Sequence, residues 1–92
     1  MSGESQDLID ELDAVIDKLM NSGFPAEASE LRSMTHETAW TSSSVMLGEI
    51  GLWILGIQRS LAGELPAEVK KGLARCLKFV RKTWPDIELP PA

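Results

Sequence analysis

Val45-Met-Leu-Gly-Glu-Ile-Gly-Leu-Trp-Ile-Leu-Gly-Ile57 decides how this chain must fold. It sits within residues 38–58, where Glu49 is the only charge. A bilayer span needs about 20 consecutive apolar residues. The run is shorter, so the expectation is a buried central helix that the rest of the chain must cover. Thr41-Ser-Ser-Ser44 offers capping hydroxyls before it, and Gly63 followed by Pro66 closes it, predicting a helix of about twenty residues. At about 100° per residue, Met46, Leu47, Ile50, Trp53, Ile54, Ile57 and Leu61 share one broad face. Val45, Leu52 and Leu55 lie on another side, beside Gly48 and Arg59.

The flanking segments supply the cover. Leu8, Ile9, Leu12, Val15, Ile16, Leu19 and Met20 recur at three- and four-residue spacing, the pattern of an amphipathic helix. Ser5 is placed to cap it, Asp7, Asp10 and Glu11 suit its positive end, and Asn21-Ser-Gly23 is a stop. Phe24-Pro25 begins a short second helix with Ala28 and Leu31 inward, fading near Met34. Pro66 starts a last helix in which Val69, Leu73, Cys76, Leu77, Val80 and Trp84 form an apolar stripe. Lys70, Lys71, Arg75, Lys78, Arg81 and Lys82 crowd its remainder, and Phe79 falls outside the stripe. Pro85 ends that helix.

The prediction is therefore all-α: one domain over residues 1–92, a small antiparallel bundle of four helices with the second short. Residues 1–6 and 85–92 are expected to be tails, the latter extended, with Ile87 and Leu89 able to pack on the body. The expected core is Leu12, Val15, Leu19, Leu31, Ile50, Ile54, Ile57, Leu73, Leu77 and Val80.

With 92 residues, a chain buries roughly 60 to 65% of its unfolded surface, enough for one modest core. A lone cysteine, Cys76, excludes an internal disulfide and a cysteine metal cluster. An acidic, polar amino terminus is the opposite of a secretory leader, so a reducing cytoplasm is expected. The net charge of −5 is uneven. Residues 1–50 hold ten acids against Lys18 and Arg32, whereas residues 51–92 hold seven bases against four acids.

Motifs that carry chemistry are incomplete. His36-Glu-Thr-Ala-Trp40 opens like a zinc-protease helix but lacks the second histidine four residues on. His36 is expected to be an exposed or capping residue between helices. Cys76 lies on an apolar stripe, where a thiol is inert. The serines at 42–44 have neither a glycine elbow nor a Ser-x-x-Lys lysine. Glu27-x-x-Glu30 followed by Glu49 resembles part of the paired acidic motifs with which helical nucleotide pyrophosphatases hold magnesium. The second pair needs an acid three residues after Glu49, where Leu52 stands, so no metal or cofactor is implied. Glycines inside a helix cost about 0.5–1 kcal/mol each, so Gly48, Gly51 and Gly56 predict close approach of a neighbouring helix.

These features point to a small acidic protein–protein interaction module without catalytic activity. It is similar to bacterial immunity, antitoxin or adaptor proteins in size, acidity and helicity alone. Val45, Gly48, Leu52, Leu55 and Phe79 are its candidate interface, either for another protein or for a second copy in a homodimer. Two alternatives are a nucleic-acid-associated regulator using the basic face of the last helix, and a small helical enzyme with a site near Glu49. A pI near 4.7 argues against the first.

Overall fold

The computed structural model describes residues 2–89, with side chains from Gln6 onward. It contains four α-helices: α1 (Ser2–Asn21), α2 (Pro25–Arg32), α3 (Ser43–Ser60) and α4 (Ala67–Thr83). A π-helical turn, Ser33–Glu37, extends α2. No strand is present among the described residues, and none of the described helices is long and apolar enough to cross a membrane. The all-α bundle read from the sequence is therefore the architecture observed.

Local chemistry accounts for the boundaries. At the end of α1, Gly23 adopts φ 89°, its N–H reaches the Met20 carbonyl, and the Phe24 N–H reaches that of Leu19. This left-handed stop satisfies carbonyls that the helix end would orphan and turns Phe24 back onto the core. Of the available hydroxyls, Ser42 caps α3, accepting from the Val45 N–H at 3.2 Å. Pro66, in an extended conformation, precedes α4, and its carbonyl accepts from the Lys70 N–H. The helix begins at Ser2, ahead of the expected start at Ser5, so most of the expected tail over 1–6 is helical. The second helical segment runs on through the π-turn to Glu37 instead of fading at Met34.

The apolar run is not the centre of the bundle. α4 packs against α1 on one side and α3 on the other, while α2 packs on α1. Six residues of α4 are buried (Val69, Gly72, Leu73, Cys76, Leu77 and Val80), against Ile50, Gly51 and Ile54 of α3. The physical reason is closeness at both seams. A Cβ placed on Gly72 would lie 2.6 Å from Val15 Cγ2, and one on Gly51 would lie 2.7 Å from Val80 Cγ1. One glycine on each side of α4 lets α1 and α3 approach until branched side chains touch backbone. Gly56 has nothing within 4 Å, so the expected close approach does not apply there.

Nine of the ten expected core residues are buried, and Ile57 is half-buried against them. Leu8, Ile16, Ala28, Leu65, Val69 and Cys76 join the core. Two residues assigned to apolar stripes are instead exposed: Met20, the penultimate residue of α1, and Trp84, which sits past the last turn of α4. Trp53 is half-buried, its indole N–H donating to Glu30 Oε1 at 2.9 Å and tying α3 to α2.

Candidate functional site

The five candidate interface residues separate into two places. Val45 and Leu52 stand 43% and 36% exposed on the outer side of α3. Between them, Gly48 lies under the Trp84 ring, where a Cβ would meet the indole nitrogen at 3.4 Å. The Trp84 indole N–H donates to the Ser44 carbonyl at 2.8 Å, latching the end of α4 onto the start of α3. A turn then carries the chain back: the Ile87 N–H reaches the Trp84 carbonyl at 3.1 Å, and Ile87 Cδ1 comes within 2.8 Å of a Cβ position on Gly51.

The tail, expected to be extended with Ile87 and Leu89 able to pack on the body, does pack through Ile87, but by way of a turn that folds it over the middle of the surplus apolar face and leaves the flanks open. What remains is a shallow depression of about 300 Å³ lined by Val45, Gly48, Glu49, Leu52, Trp84 and Ile87. Glu49 is exposed at its edge and is the only charged residue in that lining. Leu55 does not belong to it, being half-buried against the core. Trp84 and Ile87 were not among the interface candidates. Helical periodicity assigned the tryptophan to a buried stripe; the local signal for the reversal is Pro85-Asp86, proline and aspartate at the centre of a four-residue turn.

Phe79 lies outside that depression, on the seam between α1 and α4. Carboxylates Asp7, Asp10 and Glu11 stand on its α1 side. Arg75, Lys78 and Lys82 stand on its α4 side, with the Lys82 ammonium 5.2 Å from the ring centroid. Arg75 Nε donates to Glu11 Oε2 at 3.0 Å. The uneven charge along the chain therefore becomes a juxtaposition across one helix pair. Beyond Phe79, towards α3, a cleft of about 270 Å³ opens between Leu8, Met46, Leu47 and Thr83.

The residues weighed for chemistry are dispersed into structural roles. His36 is exposed, its Nε2 lying 2.6 Å from Asp13 Oδ1, which ties the π-turn to α1. Glu30 is engaged by Trp53. Cys76 is fully buried, and burial pushes its thiol up to about 12, with the nearby Glu11 carboxylate adding to the rise and Arg75 opposing it. Such a thiol carries almost no thiolate at neutral pH. Among the described residues, no three His, Cys, Asp or Glu side chains gather as a metal site would require. No protein-family model, curated protein or solved structure matches the chain.

Proposed function

We propose that this chain is a small protein–protein interaction module, of immunity, antitoxin or adaptor type, that takes an apolar segment of a partner protein on the outer face of α3. The observation that carries the reading is the exposure of Val45, Leu52 and Trp84 around a glycine floor at Gly48. Three large apolar side chains grouped in one depression are costly to leave in water, and aromatic residues over a small-residue floor suit a helix or extended segment. Glu49 in an otherwise uncharged lining favours a segment that brings a lysine or arginine to its edge. A lone, buried, reduced cysteine fits a cytoplasmic setting.

An enzyme reading has less support: His36 meets the Asp13 carboxylate in an exposed tie between the π-turn and α1, and the described hydrogen bonds join neither His36 nor Glu49 to a hydroxyl or thiol nucleophile. A nucleic-acid reading is weakened because Arg75, Lys78 and Lys82, three of the six bases of α4, stand on a seam shared with the acids of α1.

The test is a photoreactive residue in place of Val45, expressed in cells of the source organism. One dominant adduct is expected, cross-linked through an apolar segment carrying a base. It should disappear in Leu52→Glu and weaken in Glu49→Lys. Leu52 is partly solvated, so the Leu52→Glu protein should stay folded, with stability changed by no more than about 1 kcal/mol. An adduct that survives both substitutions, or cross-linking only to copies of the chain itself, refutes the proposal.

A further inference from the structure

The α1/α4 seam carries a charge pattern that is complementary to itself. The two helices run antiparallel: Glu11 meets Arg75, and Val15 meets Gly72. Continuing that register sets Asp10 beside Cys76 and Leu77, next to Lys78, and Asp7 beside Phe79 and Val80, within a helical turn of Lys82. These four charged residues are exposed, acids on one side of Phe79 and bases on the other. Phe79 is half-buried between the two rows.

Consider a second copy laid on this face. A two-fold axis running along the seam carries α1 of one copy over α4 of the other at unchanged height. Acids then face bases, each contact occurs twice, and the two Phe79 rings meet near the axis. An axis perpendicular to the helices lays α1 on α1 and α4 on α4, setting like charges together. The charges thus select a single arrangement. The outer face of α3 offers no equivalent, because its depression contributes one acid, Glu49, and no base to meet it.

We propose that the chain forms a homodimer through the α1/α4 seam, with Phe79 at its centre and Asp10 of each copy facing Lys78 of the other. Two helices of about 25 Å length and 10 Å width offer roughly 500 Å² per copy, which places the dimer in the weak, transient class. Exposed charge pairs give such an interface its register and make it salt-sensitive.

Sedimentation equilibrium on the full chain tests this. Dimer is expected at about 20 mM salt and should weaken by about tenfold or more at about 500 mM. Asp10→Lys and Lys78→Glu should each raise Kd by about tenfold or more, because each homodimer then sets like charges face to face. Mixing the two variants should restore association as a heterodimer, since the lysine introduced at position 10 faces the glutamate introduced at position 78 and the native Asp10 faces the native Lys78. Circular dichroism melts confirm that both variants are folded. Phe79→Ala should weaken the dimer, whereas Leu52→Glu should leave it intact. A wild-type chain that stays monomeric at millimolar concentration in low salt overturns the proposal. So does a dimer indifferent to both charge reversals, or a mixture of variants that does not associate.

Discussion

Two helical glycines should respond to alanine in opposite directions. At Gly72, in the middle of α4, the new methyl would lie 2.6 Å from Val15 Cγ2, and both residues are fully enclosed. Val15 is β-branched and stiff at χ1, so it cannot swing clear without moving α1. Overpacking of this kind costs about 1–3 kcal/mol, against a helix-propensity gain of about 0.8–1 kcal/mol for replacing glycine. The net expectation for Gly72→Ala is a loss of about 1 kcal/mol, a fall in Tm of about 4–8 °C for a domain of this size. At Gly56, in α3, a methyl meets nothing within 4 Å. There the propensity gain stands alone, and Gly56→Ala should stabilise by about 0.5–1 kcal/mol. Urea titration and thermal melts by circular dichroism measure both. The coupling is checked by Val15→Ala: removing the opposing methyls should make Gly72→Ala milder in that background by about 1 kcal/mol. If Gly72→Ala stabilises as much as Gly56→Ala, the close α1/α4 approach is wrong.

The buried thiol and the α3 cap make two further predictions. Because the folded Cys76 thiol titrates near 12 against an ordinary value of 9.0, the unfolded chain loses that proton first as pH rises. Its contribution to stability is therefore complete below about pH 9 and is lost towards pH 12, with a slope of at most about 1.4 kcal/mol per pH unit. Cys76→Val should remove this component from the alkaline limb of a pH–stability curve, and an identical curve would contradict the assignment. In the native state the thiol should react with a bulky disulfide reagent only as fast as the chain opens; stoichiometric labelling within seconds would show that α4 is not packed as described. Ser42→Ala should cost about 1 kcal/mol by orphaning the Val45 N–H at the start of α3, read as a fall in Tm. No loss would mean that another hydroxyl of residues 41–44 takes over the cap.

Helix number, helix type and most of the core were legible from residue spacing alone. Leu12, Val15 and Leu19, or Val69, Leu73 and Val80, can share a buried face only as helices, and Gly23, Pro25, Pro66 and Pro85 break the chain between them. Those are local constraints: backbone sterics and the 3.6-residue period act within a few residues, so the sequence carries them wherever the helices end up. The apolar depression on α3 was half legible for the same reason. Val45, Gly48 and Leu52 align on one helix, whereas Phe79, grouped with them only for lying off its own stripe, belongs to a different face.

Which helix is central was decided by the tertiary structure. The abundance of apolar side chains favours α3, yet α4 holds the middle because Gly72 and Gly51 open both of its seams, and close packing rewards contact between two surfaces more than apolar content on one. The middle of the surplus on α3 is then covered by a reversal at Trp84–Pro85–Asp86–Ile87, held by an indole N–H on the Ser44 carbonyl forty residues away, while Val45 and Leu52 stay exposed. No periodicity records that contact. Likewise, the acidic and basic halves were visible as composition, but only the antiparallel register of α1 on α4 turned them into facing rows, because charge pairing depends on position in space and composition carries none.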